Sequence, residues 1–291
     1  MDLNLEAPQN TDTGAWNVHR PDNRAHIIGV SQVPSQRATL RRLLAGSGLR
    51  TCYQPMVDMN TRHVVALEAL VRLRLSRHVT LFPADFLPQV EALGLAGALT
   101  DAVASRALND WAVLGEPAHR PMLSINFSLD VLLSPSALSR LDERRAAAGI
   151  AARSVLIELT ESRPVDNLVR LRRSVERFRK AGYAIALDDI TPSVPHLESL
   201  IDMPFTDLKL DKAVIQAAPH WPDAVKFIEH MAKRARSHNM AVTAEGVEDQ
   251  VTWTMMRSLG IRFAQGFLIS EPLLAEDISG WRNEWTARRA A

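Results

Sequence analysis

Polar residues occur where short apolar runs of this sequence end. An acidic or amide residue ends each of the runs VVALE, LSIN, LIE, IALDD and VTAE. The run DLKLD carries a lysine amine within it, and AQG carries a glutamine amide. A single buried carboxylate at a strand end is usually satisfied by hydrogen bonds and needs no further role. Its repetition along the chain predicts a shared polar site. The candidate members are Glu68, Asn126, Glu158, Asp188, Asp189, Lys209, Asp211, Glu245 and Gln265.

Such a cluster requires compensating positive charge. An ionised carboxylate left unpaired in a dry pocket is strongly destabilising, and Lys209 alone cannot balance the acidic residues of this set. The sequence therefore predicts a bound cation. Carboxylate and amide oxygens are typical ligands of Mg²⁺ or Mn²⁺, with Ca²⁺ as an inhibitory substitute. No His or Cys stands at a strand end, and neither HExxH nor CxxC occurs, which argues against zinc.

The adjacent pair Asp188 and Asp189 extends this prediction to two ions. Successive side chains of a strand point to opposite faces. We expect Asp188 to face the first ion and Asp189, where the strand gives way to a loop, to reach a neighbouring position. Two cations a few ångströms apart can clamp an in-line displacement at phosphorus. The number of ions, one or two, is left open.

Lys209 is unusual for this chain, whose 34 basic residues comprise 29 arginines and 5 lysines. A compact ammonium can orient a water molecule or a phosphate oxygen where a forked guanidinium would not fit. We expect Lys209 to act in the site, and a purely structural counter-ion is the alternative.

Helical patterns alternate with most of the apolar runs that predict strands. This alternation indicates βαβ units and a parallel sheet. About eight strands within roughly 250 residues favour a (β/α)₈ barrel, in which the carboxyl ends of the strands share one face. An open doubly wound sheet is the alternative, although no glycine-rich nucleotide fingerprint follows the first strands. The predicted strands are TCYQPMV, VVALEALV, MLSINFS, VLIELT, YAIALDD, TDLKLD, AVTAEG and RFAQGF, and the predicted helices cover residues 83–93, 97–114, 166–181, 222–238 and 248–259.

Composition and the N-terminus set further limits. The 291 residues are 46% hydrophobic and 23% charged with a net charge of +1, so no overall field attracts nucleic acid or an anionic membrane. One cysteine, Cys52, excludes an intrachain disulfide and suits a reducing compartment. We find no transmembrane run and no signal-peptide core, and expect a cytoplasmic protein. Residues 1–35 are predicted to be a polar tail or lead-in. A single domain is predicted over residues 36–291, and it opens with an amphipathic helix that ends near Gly46.

An ordered set of motifs resembles the EAL family of cyclic di-GMP phosphodiesterases. The motifs are YQPMVD, EALVR, INFS, LIELTES, LDD, LKLDK, AEGVED and QGFLISEP, and they cover about residues 36 to 285. As an ordered set they are highly specific, whereas EAL alone occurs by chance. The resemblance implies a TIM-like (β/α)₈ barrel whose first strand is antiparallel to the rest. It also implies hydrolysis of cyclic di-GMP to linear 5′-pGpG with Mg²⁺ or Mn²⁺.

The resemblance also implies a role for each matching residue. Ligands of the first metal would be Glu68, Asn126, Glu158 and Asp188, with Asp189 at the second. Glu245 would order the attacking water, which Lys209 would position or activate with Asp211 nearby. Contacts to the dinucleotide would come from Gln54, Arg72 and Gln265. Of these, Arg72 would bind a phosphate group. Glu161 and Glu248 would support the site, Glu161 by anchoring the loop after Asp189.

The chain departs from the family after the paired aspartates. The family continues as DDFGTG, a loop linked to the second metal and to dimer contacts, whereas this chain has DDITPSVP. Ile190 replaces the aromatic residue, and Thr191 and Pro192 occupy the positions around the two glycines. Proline fixes φ and restricts the residue before it, so we expect no positive φ at those points. The expected enzyme functions but is slower or differently regulated, and a homodimer is one of the arrangements left open.

Two other functions are considered. A catalytically weak or inactive EAL protein could act as a cyclic di-GMP sensor or as a protein-interaction module, and the altered loop favours it. Nucleic-acid binding would rest on the basic runs LVRLRRSVERFRK and KRARSHN. Both runs are typical of solvated faces of amphipathic helices, and only Phe178 adds an aromatic ring to the first, so neither a nucleic-acid nor a membrane partner is expected.

Overall fold

The structure is a computed structural model that describes residues 33–114, 120–160 and 165–290. Two sequence predictions fall wholly or mainly outside these ranges. Residues 1–32, most of the predicted tail, are not among the described residues, and neither is Glu161. The first helix begins at Val33, three residues before the domain boundary drawn from the sequence.

Eight strands close into a barrel. A ninth strand, of two residues, pairs antiparallel with the end of one of them. All eight runs predicted as strands form strands of the barrel, so the prediction of a barrel rather than an open sheet is confirmed. The short strand β3 was not predicted. The strands are β1 Leu49–Asp58, β2 Val64–Arg74, β3 Thr80–Leu81, β4 Met122–Ser128, β5 Val155–Thr160, β6 Ala184–Ile190, β7 Asp207–Leu210, β8 Ala241–Ala244 and β9 Phe263–Gln265.

The first strand runs against the others, as the resemblance implied. β1 pairs antiparallel with β2 and with β9, and this double pairing closes the barrel. From β2 through β4 to β9, the barrel strands pair in parallel. The carboxyl ends of seven strands therefore lie at one mouth of the barrel.

Helices surround the sheet, and the five helices predicted between strands are all present. The helix predicted before Gly46 is present too, and five more helices lie outside the predicted ranges. The helices are α1 Val33–Ala45, α2 Pro83–Ala92, α3 Ala96–Ala112, α4 Leu129–Leu132, α5 Ala137–Ala147, α6 Leu168–Lys180, α7 Leu197–Ile201, α8 Lys212–Ala217, α9 Pro222–Ser237, α10 Gln250–Ser258 and α11 Ile278–Ala290. None of the helices in the described part of the chain has the length and apolar character needed to cross a membrane.

Helix α6 shows how the spacing of apolar residues lets a helix pack on the barrel. Leu171, Val175 and Phe178 recur at helical spacing and are fully buried, and the ring of Phe178 packs edge-on against Phe127 of β4 at 6.1 Å. The Asn167 side chain caps the first turn by accepting a hydrogen bond from the Arg170 N–H at 2.9 Å. Arg172 and Arg173, between the buried positions, are exposed, as expected for a solvated helix face.

Candidate active site

Lys209 of β7 lies at the centre of the polar cluster, with 1% of its side chain exposed. Its Nζ is 2.6 Å from Glu245 Oε1, 3.1 Å from Glu158 Oε1, 3.1 Å from Asp188 Oδ1 and 3.6 Å from Glu68 Oε2. Four carboxylates from four different segments thus share one ammonium. A single positive charge does not balance four ionised carboxylates, so the cluster needs either further positive charge or protonation of some of its members.

Strand register brings these side chains together. Asn126 of β4 is level with Glu158 of β5, and Lys209 of β7 is level with Thr243, two residues before Glu245. Glu68 lies on β2, the strand next to β4, and is level with Gln54 of the antiparallel strand β1. Side chains at such positions point into the barrel mouth from neighbouring strands.

Amide side chains hold the carboxylate of Glu68 on both sides. Asn126 Nδ2 donates to Glu68 Oε1 at 2.9 Å, and Gln265 Nε2 donates to Glu68 Oε2 at 2.6 Å and to Gln54 Oε1 at 3.0 Å. Gln54 Nε2 in turn donates to the carbonyl oxygen of Ser270 at 3.1 Å. The chain of bonds fixes the orientation of Glu68 and places Gln54 and Gln265 beside it.

Gly266 allows Gln265 to approach the site. A Cβ on Gly266 would lie 2.2 Å from the carbonyl oxygen of Val247, and its φ of +156° lies at the edge of a region that L side chains rarely adopt. The backbone N–H groups of Val247 and Leu268 donate to the carbonyls of Gln265 and Val247 at 3.0 and 3.1 Å. The segment after β9 therefore packs directly on the segment that carries Glu245.

A β-bulge turns both adjacent aspartates towards the cavity. Leu187 pairs with Leu208 and Ile190 with Leu210, so β6 has one more residue than β7 between these pairs. Asp189 takes the left-handed conformation, with φ 54°. This differs from the sequence prediction that the strand would simply end at Asp189, because Ile190 rejoins the sheet and is 1% exposed.

The loop after the bulge forms a tight turn without positive φ. Thr191 O accepts a hydrogen bond from the Val194 N–H at 3.2 Å, and Pro192 occupies the second position of this turn. None of residues 190–195 has a positive φ. The residues on either side of this loop, Asp189 and His196, do have one. The expectation for this loop is therefore confirmed.

The surroundings shift the pKa values of the acidic groups in different directions. Burial would raise the pKa of Glu68, but the Lys209 ammonium and the Asn126 and Gln265 amides lower it below its ordinary value. Glu158 has no such amide donors, so burial and the nearby charge of Glu68 raise its pKa well above the ordinary value despite Lys209. Burial raises the pKa of Glu245 to about 8, opposed by Lys209.

Two further pKa shifts complete this pattern. Asp189 keeps an exposed edge, yet partial burial and the negative charges of Asp188 and Asp211 raise its pKa to about 6. Burial would lower the pKa of Lys209, but the surrounding carboxylates of Asp188, Glu158, Glu245 and Glu68 raise it well above its ordinary value. Lys209 is therefore an ammonium at neutral pH, which suits a donor and not a base.

The cluster fits a hard divalent cation. Both oxygens of Glu158 and Oδ1 of Asp188 are buried without a well-formed hydrogen bond among the described residues. Within the described ranges, one group of side chains places its ligand atoms within 4.8 Å of one another: Asp188, Asp189 and Glu245. Oxygen donors of this type match Mg²⁺, Mn²⁺ or Ca²⁺.

A cavity of about 750 Å³ opens over the cluster and extends towards α2 and α3. The polar end is formed by the strand-end residues, and the other end by apolar side chains such as Leu87 and Val103. Arg72 of β2 and Phe267 also line it, and 59% of Phe267 is exposed. The volume and the mixed lining suit an organic ligand that carries phosphate.

Two more of the predicted residues, Asp211 and Glu248, lie at the edge of this cavity. Asp211 lines it, and its Oδ1 accepts a hydrogen bond from the Ala213 N–H at 2.8 Å, capping α8. Glu248 lines the cavity and is exposed. The role expected of Glu161 stays a prediction.

Sequence reasoning missed two aromatic side chains near the cavity. Phe267 was part of the motif QGFLISEP but received no role, although an aromatic residue directly after a glycine at the last strand end is a usable signal. Phe82 lies under the guanidinium of Arg72, whose Cζ is 4.8 Å from the ring centroid. Nothing in the local pattern around Phe82 indicated this contact.

Comparisons with known proteins show the family of this chain. The family model described as "EAL domain" matches residues 37–272. The chain is 28% identical to cyclic di-GMP phosphodiesterase NbdA of Pseudomonas aeruginosa, over 86% of this chain and 32% of that protein. It resembles a solved structure described as PaMucR phosphodiesterase in complex with c-di-GMP, with 25% identity, a TM-score of 0.77, and coverage of 84% of this chain and 99% of that one.

Another similar structure is a calcium and cyclic di-GMP complex of BlrP1 from Klebsiella pneumoniae. It has 25% identity and a TM-score of 0.70, with coverage of 80% of this chain and 58% of that one. The chain spans about a third of the length of the curated relatives it matches, 31% of the oxygen sensor DosP of Escherichia coli for example. The family match covers most of the sequence, and the chain belongs to the EAL domain family.

Proposed function

We propose that this chain hydrolyses cyclic di-GMP to linear 5′-pGpG with the aid of Mg²⁺ or Mn²⁺. The observation that carries the proposal is the single ammonium of Lys209 among the carboxylates of Glu68, Glu158, Asp188 and Glu245. Such an excess of buried acidic groups is stabilised by protonation or by further positive charge, and a divalent cation would supply that charge. The cyclic di-GMP named in the descriptions of several relatives supports the choice of substrate.

The residues that would hold the metal follow from the cluster. Glu68, Asn126, Glu158 and Asp188 would hold the first ion, and Asp189, turned inward by the bulge, would contribute to a second. A divalent cation supplies Lewis-acid stabilisation of the charge that develops on the phosphate oxygens.

The chain's own residues would orient the reactants. The Lys209 ammonium, held by carboxylates on several sides, donates hydrogen bonds to the attacking water and keeps its oxygen aimed at phosphorus. Glu245 is partly open to the cavity and accepts a hydrogen bond from the same water, with Asp211 nearby. The water oxygen attacks one phosphorus, and the bond from that phosphorus to a ribose 3′-oxygen breaks. One water proton ends on the 3′-oxygen as a hydroxyl group, and the product keeps a 5′-phosphate.

Substrate binding would use the cavity over the cluster. Gln54 and Gln265 present amides beside Glu68, and Arg72 would bind a phosphate through its guanidinium. The exposed ring of Phe267 offers a stacking surface for a base. Glu248 and Glu161 would support the site from outside it.

Incubation with cyclic di-GMP tests the proposal directly. We expect chromatography to show pGpG with Mg²⁺ or Mn²⁺, and none with EDTA or with the Glu68→Gln variant. Glu68→Gln keeps the shape of the side chain, and its fold can be checked by circular dichroism. Well-folded wild-type protein that yields no pGpG in either metal would contradict the proposal, and tight binding without turnover would favour the sensor alternative.

A further inference from the structure

The guanidinium of Arg72 stacks on an aromatic ring at the mouth of the cavity. Its Cζ lies 4.8 Å from the ring centroid of Phe82, and its Nη1 donates to the carbonyl oxygen of Val71 at 2.9 Å. Arg72 lines the cavity and is partly buried. It stands four residues after Glu68 on the same face of β2, about 13 Å further along the strand. The arrangement defines where a phosphate bound by Arg72 would lie.

Phe82 is itself held firmly by the backbone around it. It follows β3, whose residue Leu81 pairs with Leu73 of β2, and it precedes Pro83 at the first position of α2. Its N–H donates to Asp85 Oδ2 at 2.8 Å, and its carbonyl accepts from the Asp85 N–H at 2.9 Å. Phe82 is 47% exposed and does not belong to the hydrophobic core.

We propose that Phe82 is a positioning residue that holds the Arg72 guanidinium towards a phosphate of the bound dinucleotide. This inference rests on the proposed function and adds a residue to its substrate site. Arginine side chains lose conformational freedom when they bind a planar anion, and stacking on a fixed ring removes part of that freedom beforehand. The ring also attracts the cation through its negative face.

Binding of cyclic di-GMP in Ca²⁺, measured by calorimetry, tests the role of Phe82. Phe82→Leu removes the ring but keeps apolar bulk, and we expect its Kd to rise roughly fivefold to twentyfold. Phe82→Tyr keeps the ring and should stay within about twofold of wild type. In Mg²⁺ or Mn²⁺, Phe82→Leu should raise KM and leave kcat nearly unchanged, because Phe82 does not touch the reacting atoms.

Two further variants separate this role from a structural one. In an Arg72→Gln background, adding Phe82→Leu should change Kd by less than about twofold, because the ring acts through Arg72. Trp221 is a matched control: it precedes the proline that starts α9, it is 55% exposed, and it lies away from the cavity. Trp221→Leu should leave Kd unchanged. An equal effect of Phe82→Leu in both backgrounds would overturn the inference.

A measurement without ligand tests the stacking itself. The Arg72 Nε–H signal, assigned in ¹⁵N–¹H spectra by its loss in Arg72→Gln, should be shifted by the ring current of Phe82 and should move in Phe82→Leu. An unmoved signal overturns the inference. Wild-type protein that binds no cyclic di-GMP overturns the proposed function and the role of Phe82 with it. Binding that is equal in wild type and Phe82→Leu overturns the role of Phe82 alone.

Discussion

The Lys209 ammonium lies 2.6 Å from Oε1 of Glu245, the shortest of its four carboxylate contacts. The two residues come from neighbouring strands of the barrel: Lys209 lies within β7, and Glu245 directly follows β8. Their contact links the cation at the centre of the cluster to the most exposed of its four carboxylate partners. We therefore expect stability and the proposed activity to depend on the same group of side chains.

Lys209→Met should destabilise the metal-free protein. Removal of the ammonium leaves the surrounding carboxylates without a partner, and breaking a buried ion pair costs about 3–5 kcal/mol. We expect the free energy of unfolding in EDTA, measured by urea denaturation, to fall by about this amount, and Mn²⁺ to restore part of it. Lys226→Met removes an exposed lysine on α9 and serves as the control. A Lys209→Met protein as stable as wild type in EDTA would show that the cluster does not depend on this charge.

Substitutions of Asp189 should separate its backbone role from its carboxylate. Asparagine tolerates the left-handed conformation, so Asp189→Asn should keep the stability of wild type while its turnover of cyclic di-GMP falls. Asp189→Ala should lose turnover and also about 1 kcal/mol of stability, because alanine resists φ 54°.

Asn239 provides the matched control for this comparison. It has φ 55° in the turn before β8, outside the cavity. Asn239→Ala should lose a similar amount of stability and keep full turnover. If Asp189→Asn were as active as wild type, the carboxylate of Asp189 would have no part in the reaction.

The fold was largely predictable from the sequence, and the site was predictable in part. Apolar runs that alternate with helical patterns indicated a barrel, and strand-end polar residues such as Glu68 and Glu158 indicated its polar mouth. The alternation of side chains along a strand could not predict the bulge at Asp189, because a bulge depends on pairing with β7. The contact between Arg72 and Phe82 could not be predicted from the sequence either. It depends on the two-residue strand β3, which is too short to leave a periodic pattern.

Gly266→Ala should disturb the site strongly. A Cβ there would meet the backbone of Val247 at 2.2 Å, so the segment after β9 must shift and carry Gln265 away from Glu68. We expect a loss of at least about 2 kcal/mol in the free energy of unfolding and a large fall in turnover. Gly280→Ala in α11 is the control, since its Cβ meets nothing within 4 Å. It should raise stability by about 0.5–1 kcal/mol.

Asp58 should make stability depend on pH at the other end of the barrel. Burial would raise its pKa, but the Thr61 N–H, the Arg262 guanidinium and the Asn60 N–H lower it below its ordinary value. Its stabilisation is therefore fully present above the unfolded pKa of about 3.9 and is lost as pH falls through the lower folded pKa.

The measurement is urea unfolding of wild type and Asp58→Asn across pH. The variant should be about 1–3 kcal/mol less stable from pH 5 to pH 8, and the difference should shrink below about pH 4. Asp223→Asn, at an exposed ion pair of α9, should show no such pH dependence. A difference that stayed constant down to pH 2 would show that the charge of Asp58 is not the cause.

Anomalous diffraction from crystals grown with Mn²⁺ and cyclic di-GMP tests the central claim most directly. The account predicts a manganese peak among Glu68, Asn126, Glu158 and Asp188, with a phosphate of the dinucleotide beside it and Lys209 facing the same phosphate. Manganese bound elsewhere, or a dinucleotide bound away from these residues, would contradict it.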